Sequence, residues 1–255
     1  MINLLDFPLL VFLLSFLVLW LAARLGVSYR RRRQHMEQTV QDDFGVVLAA
    51  SLTLLGLIIG FSFAMAVSRY DQRKNLEEEE ANAIGTEYVR ADLLPAADAA
   101  KVRSLLRSYL DQRVLFYSTR DPEQVRQINA RTAKLQSELW TAILPPAAAH
   151  PTQIVALAVS GMNDVLNSQG YTQAAWWNRI PIAAWVMMLA IAICCNLLEG
   201  YLGRNMDKEG LLHVVLPFVV SLSFFLIADI DSPRGGVIHV NPQNLQSLAD
   251  SLRTQ

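Results

Sequence analysis

The sequence has little cysteine and no excess of charge of either sign. Its two cysteines, Cys194 and Cys195, are adjacent in the chain. Because neighbouring side chains on a helix point about 100° apart, the two cannot easily form a bridge, and a disulfide framework is excluded. The 22 Lys and Arg residues almost balance the 23 Asp and Glu residues. No basic surface for nucleic acid is therefore expected.

Motifs for catalysis and for cofactor binding are also missing. The chain has no glycine-rich phosphate loop and no GxSxG, HExxH or CxxC pattern. The histidines are too scattered for a recognisable metal-ligand spacing: they are His35, His150, His213 and His239. We therefore expect that the protein is not an enzyme and that it holds neither a metal nor a cofactor.

Long uncharged apolar runs are what the sequence does contain. Four of them occur, each close to the roughly 20 residues that a helix needs to cross about 30 Å of hydrocarbon. They extend over 7–23, 44–67, 180–198 and 211–228. No soluble fold needs four such runs. The pattern predicts an all-α membrane protein, with four transmembrane helices and a helical extramembrane domain between spans two and three.

The basic residues predict how the chain is threaded. Arg30 to Arg33 follow the first span, and short loops rich in Lys and Arg stay in the cytoplasm. This places both termini and the helical domain in the periplasm of a bacterial inner membrane, although the length of that domain leaves the opposite orientation open. The predicted segments are a first span at 1–25, a basic cytoplasmic loop at 26–43, a second span at 44–68, the helical domain at 69–177, a third span at 178–199, a cytoplasmic loop at 200–210, a fourth span at 211–228, and an exit turn with a C-terminal amphipathic helix at 229–255.

Prolines divide the extramembrane domain into four predicted helices. The first continues the second span as far as Leu94, and the second covers 96–118. The third begins at Asp121-Pro122, a capping residue followed by proline at the first helical position, and is expected to end before Pro145. The fourth follows Pro151. Their apolar stripes predict a small antiparallel bundle.

Small residues recur at every fourth position of the second span: Gly56, Gly60, Ala64 and Ser68. Such a stripe allows a second helix to approach closely where lipid provides no hydrophobic drive for association. One interpretation is packing against another span of the same chain. The other is packing around a symmetry axis, where the span lines a pore.

Acidic residues extend that line beyond the membrane if the helix is continuous. Glu77, Glu80 and Glu87 are the candidates for an acidic ring at the mouth of a pore, which would attract cations or gate anions. The alternative is a solvated acidic face.

Polar residues near the ends of spans three and four are candidates for an ion path or a cation site. Glu199 and His213 lie near the predicted inner boundary, where they either line a path or extend towards the interface. Asp229 and Asp231 follow span four and either bind a hard cation or cap a turn. An intramembrane enzyme or a proton-coupled transporter would require Glu199, His213 and Asp229 to converge.

Segments 56–64, 80–95 and 229–235 resemble the bacterial bestrophin-like integral membrane proteins, and the resemblance extends over nearly the whole chain. The name of that group indicates a relation to the bestrophin anion channels, which are pentamers with pores lined by their second spans. The resemblance implies a homo-oligomer in the lipid bilayer of a bacterial inner membrane that conducts an inorganic ion. The alternative function is a non-conducting scaffold or envelope sensor whose outer helical domain binds a protein partner.

Overall fold

The protein is described here by a computed structural model, which places residues 4–32, 38–202 and 212–254. No strand occurs in these ranges, and the predicted all-α fold class is confirmed. The helices are α1 (Pro8–Arg32), α2 (Gln38–Arg90), α3 (Ala96–Ser118), α4 (Pro122–Ala149), α5 (Gln153–Trp177), α6 (Ile182–Leu202), α7 (Leu212–Asp231) and α8 (Gln243–Arg253), with short 3₁₀ turns at Leu4–Asp6 and Ala91–Leu93. The chain forms two compact units, a membrane unit and a helical extramembrane unit.

The membrane unit comprises residues up to Arg69 together with Arg179–His239. Its core lies between α1, α6 and α7. Two glycines bring α1 and α6 into backbone contact: a Cβ added at Gly26 would overlap the Leu197 carbonyl, and one added at Gly200 would overlap the Ala23 carbonyl. Because lipid does not drive helices together, this close packing is what holds the two spans to one another.

The second span is the exception within the membrane unit. Only 6% of the most apolar 18-residue stretch of α2 is buried, whereas the corresponding stretches of the other three candidate spans are 39%, 33% and 44% buried. Most of the apolar surface of α2 therefore remains open in a single chain.

The extramembrane unit comprises Tyr70–Asn178 and the C-terminal segment from Val240. Its core is apolar and draws on every helix of the unit: Ile84 from α2, Leu106 and Leu110 from α3, Leu135 and Leu139 from α4, Ala158 and Met162 from α5, and Leu245 from α8. The predicted cap of α4 is confirmed, because the Asp121 side chain accepts a hydrogen bond from the backbone N–H of Glu123 at 3.1 Å and Pro122 occupies the first turn.

The predicted end of α4 before Pro145 is wrong, because the helix continues through Pro145 and Pro146 to Ala149. A proline inside a helix costs about 3 kcal/mol through its missing N–H and its steric clash. Here Ile143 and Pro146 are buried in the domain core. The backbone N–H of His150 still bonds to the Pro146 carbonyl at 3.0 Å. Packing of the last turn therefore outweighs the local preference to stop.

Candidate functional site

The small-residue stripe of α2 faces away from the other described helices. Gly56, Gly60, Ala64 and Ser68 are all exposed. A Cβ added at Gly56 or at Gly60 would meet none of the described atoms within 4 Å. Packing of this stripe against another span of the same chain is therefore not observed among the described residues. The face is free to meet lipid or a second copy of the protein.

The same face of α2 is also exposed beyond the membrane span. At about 100° per residue, position 78 returns to the angle of position 60, and positions 71, 75, 82 and 89 lie within roughly 60° of it. The structure exposes all five of these side chains: Asp71, Asn75, Glu78, Asn82 and Val89. One side of the 53-residue helix thus carries small, apolar residues in the span and mostly polar residues beyond it.

Glu77, Glu80 and Glu87 do not lie on that face, which corrects the expectation that they continue the stripe. Their relative exposures are 1%, 0% and 0%. Each side chain points roughly 100° to 180° away from the direction of Gly60. The three carboxylates therefore form neither an acidic ring at a pore mouth nor a solvated acidic face.

Glu80 is the centre of a buried polar cluster in the helical unit. Its carboxylate pairs with the guanidinium of Arg113, including an Nη2 to Oε2 hydrogen bond of 3.3 Å. The hydroxyls of Tyr117 and Thr172 also donate to Oε2, each at 3.3 Å. Burial disfavours a charged guanidinium, but the charge and hydrogen bond of Glu80, together with Tyr109 and Tyr117, outweigh it and raise the pKa of Arg113. The cluster connects α2, α3 and α5.

Glu77 binds the start of the C-terminal helix. Its Oε1 accepts the backbone N–H of Leu245 at 2.9 Å, and its Oε2 accepts the Asn244 amide at 2.7 Å. The cap residue of α8 itself, Pro242, provides no side-chain hydrogen bond. The Glu77 side chain, which belongs to α2, therefore caps the N-terminus of α8.

Glu87 lies against α5. A Cβ added at Gly161 would overlap its carboxylate, so the glycine is what admits the side chain. Neither oxygen of Glu87 has a hydrogen-bond partner in the described part of the chain.

The two aspartates at the C-terminal end of α7 have separate sets of partners. Asp229 accepts the backbone N–H groups of Val237 and Ile238, at 2.8 and 2.9 Å, and so caps the exit turn. Asp231 pairs with Arg179 at 2.9 Å and with Arg69 at 3.6 Å. Within the described ranges no group of three or more His, Cys, Asp or Glu side chains is placed to hold a metal ion. The geometry favours the capping interpretation over the cation site.

Glu199 and His213 are brought together, with Oε1 and Nδ1 2.9 Å apart. Asp229 follows His213 by 16 residues on α7, which places it about 24 Å further along the helix. The convergence of all three that an intramembrane enzyme or a proton-coupled transporter would require does not occur.

Four apolar helices, one of them with an apolar span that is largely exposed in a single chain, and a helical extramembrane bundle define a multi-pass α-helical membrane protein. The model of the bestrophin-like domain matches residues 9–245, so the chain belongs to the bestrophin-like family. No curated protein matches it in sequence.

Solved structures with a similar fold include those of a bacterial bestrophin homologue. A bacterial bestrophin homologue from Klebsiella pneumoniae, phased with zinc, aligns with a TM-score of 0.63 at 16% identity over 94% of this chain and 95% of the other. A single-substitution variant of that homologue gives a TM-score of 0.62 at 16% identity over 97% and 98% of the two chains. The similarity shows the fold, and with the family it makes this chain a bacterial membrane protein.

Proposed function

We propose that the protein is a homo-oligomeric ion channel of the bacterial inner membrane in which α2 lines or flanks the ion path. The observation that carries this proposal is the open face of α2. This face carries small residues in the span and mostly polar residues outside it. Only 6% of the most apolar 18-residue stretch of the helix is buried in a single chain. The relation of the family to bestrophin anion channels supports the same function.

The dimensions of α2 suit this role. Its 53 residues extend for about 80 Å, far more than the roughly 30 Å of the hydrocarbon layer. Gly56, Gly60 and Ala64 allow symmetry-related copies of the helix to come close without charged groups in the span.

Asp71 and Glu78 replace the buried glutamates as candidates for the charged mouth. Both are exposed and lie on the side of α2 that carries the stripe. In a symmetric oligomer each subunit contributes one copy, and rings of carboxylates attract cations. Rings of Asp71 and Glu78 would therefore favour the passage of cations.

The proposed orientation keeps both termini and the helical domain in the periplasm. It rests on Arg30 to Arg33, which follow the predicted first span. Single cysteines introduced at Glu123 and at Arg31 in a variant lacking Cys194 and Cys195 test it in intact cells. An impermeant thiol reagent is expected to label position 123 and not position 31, and the reverse pattern would invert the topology.

A second candidate function is a non-conducting scaffold or envelope sensor. It is favoured by a groove of about 470 Å³ between α3 and α8, which Val114, Leu115 and Ala249 line together with two aspartates. Such a groove suits a side chain of a protein partner. This function predicts assembly without ion flux.

Flux through liposomes separates the two functions. Purified protein is expected to release trapped ions, and Gly60→Leu is expected to reduce the flux because it fills the open face of α2. Val186→Leu is the matched control, since Val186 is 60% exposed on a different span. No flux under any voltage or pH would overturn the channel. Unchanged flux in the Gly60→Leu variant would show that α2 does not line the ion path.

A further inference from the structure

Glu87 is a fully buried carboxyl group to which no described residue hydrogen-bonds. Its relative exposure is 0%, and neither Oε1 nor Oε2 is paired in the described part of the chain. The other two glutamates on the buried side of α2 are both satisfied: Glu77 binds α8, and Glu80 binds Arg113. An ionised carboxylate in such a place would lose its hydration without replacement, so the neutral acid is the form that fits.

The contact between α2 and α5 is built around this side chain. Gly161 on α5 leaves room for the Glu87 carboxyl and for the guanidinium of Arg90, both of which a Cβ at that position would overlap. Any change in the size or hydration of the carboxyl therefore acts directly on the packing of the two helices.

Among the described residues, two charges act on Glu87. Arg90 on α2 attracts the ionised form and Asp164 on α5 repels it. These two pair loosely with each other at 3.9 Å. Arg103 and Arg107 on α3 pack on the ring of the neighbouring Tyr88. Burial dominates over the attraction of Arg90 and, with a further contribution from Asp164, raises the pKa of Glu87 to about 8.

We infer that Glu87 is a proton-binding site that controls the contact between α2 and α5: it is neutral while the helices are closely packed at Gly161, and its ionisation loosens that contact. Protons are the ligand, and the released state is one in which water reaches the carboxylate. This proton-binding site lies within the helical domain alone and does not depend on ion conduction.

The sign of the pH dependence follows from the two protonation equilibria. In the opened state the carboxyl regains its ordinary pKa of 4.5, whereas in the closed state its pKa is about 8. Between these two pH values the closed state holds a proton that the opened state has lost. The stability of the closed state relative to the opened state therefore falls as pH rises, and it becomes constant above about pH 8. The opening equilibrium is expected to rise on the order of a hundredfold between about pH 6 and about pH 9.

Hydrogen–deuterium exchange of the full chain in detergent tests this inference. Exchange at residues 155–165 of α5, corrected for its intrinsic pH dependence, is expected to accelerate as pH rises in the native protein. It is expected to stay flat in Glu87→Gln, which mimics the neutral acid. Glu79→Gln is the matched control, because Glu79 is exposed on the same helix. A native profile that is flat, or a Glu87→Gln profile that still rises, would overturn the site.

Infrared spectroscopy of the unmodified protein gives a second test that depends on no variant. The carbonyl stretch of a protonated carboxyl group is expected near neutral pH and is expected to disappear with a midpoint near pH 8. The absence of a protonated carboxyl signal at neutral pH would contradict the proposal even if Glu87→Gln failed to fold.

Discussion

The carboxylate of Glu77 accepts the backbone N–H of Leu245 across a sequence separation of 168 residues, at a distance of 2.9 Å. Leu245 lies in the first turn of α8, where backbone N–H groups have no partner within the helix. The positive end of the helix dipole also favours a carboxylate there. One side chain of α2 thereby fixes the C-terminal helix on the extramembrane unit.

Replacement of Glu77 by alanine is expected to release α8. The change removes the hydrogen bonds to Leu245 and to Asn244 and leaves the start of the helix without a cap, a loss of about 0.5–2 kcal/mol. Limited proteolysis or hydrogen exchange of residues 243–253 measures the effect. Glu78→Ala is the matched control, because the neighbouring glutamate is exposed. Equal protection of α8 in both variants would contradict the capping role.

Arg113 and Glu80 are expected to behave as one unit in stability measurements. Removing either partner leaves a buried charge without compensation, which typically costs 3–5 kcal/mol. The double variant Glu80→Leu with Arg113→Met removes both charges and is expected to be less destabilised than the sum of the single changes. Thermal unfolding in detergent of the native protein, the two single variants and the double variant completes this double-mutant cycle. Additive losses would show that the pair is not coupled.

The helices and spans were predictable from the sequence because their signals are local. About 20 apolar residues in a row or a capping Asp before a proline require no knowledge of the rest of the chain. The groups that face one another were not predictable in this way. Glu80 and Arg113 are 33 residues apart, and Gly161 meets a side chain on a different helix. A single sequence carries no signal for such pairs.

The direction of Glu77, Glu80 and Glu87 was nevertheless contained in the sequence. Following a stripe in steps of four adds roughly 40° at each step, so a line begun at Gly56 leaves its face within a few turns. Counted at 100° per residue, Glu78 falls on the face of Gly60 and Glu80 falls on the far side. The buried side is then set by packing against α3, α5 and α8.

Gly200 is expected to tolerate no larger residue. A methyl group there would overlap the Ala23 carbonyl, and a backbone atom cannot move aside as the end of a flexible side chain can. Gly200→Ala is expected to cost about 1–3 kcal/mol through overpacking of α1 against α6. Gly45→Ala is the control, since a Cβ at that position meets no described atom within 4 Å. Thermal unfolding in detergent compares the two, and similar midpoints would place the contact between α1 and α6 in doubt.

Glu78 provides the sharpest test of the proposed ion path. Glu78→Gln removes one carboxylate per subunit from the open face of α2, while Glu79→Gln removes an exposed carboxylate that lies about 100° further around the same helix. If the oligomer arranges its α2 helices around the path, the first change is expected to lower cation permeability relative to anion permeability and the second to change it less. Reversal potentials across planar bilayers in a salt gradient measure that ratio. Because both variants lose the same charge, a difference between them reports the direction in which α2 faces the axis, and equal shifts would mean that neither carboxylate lines the path.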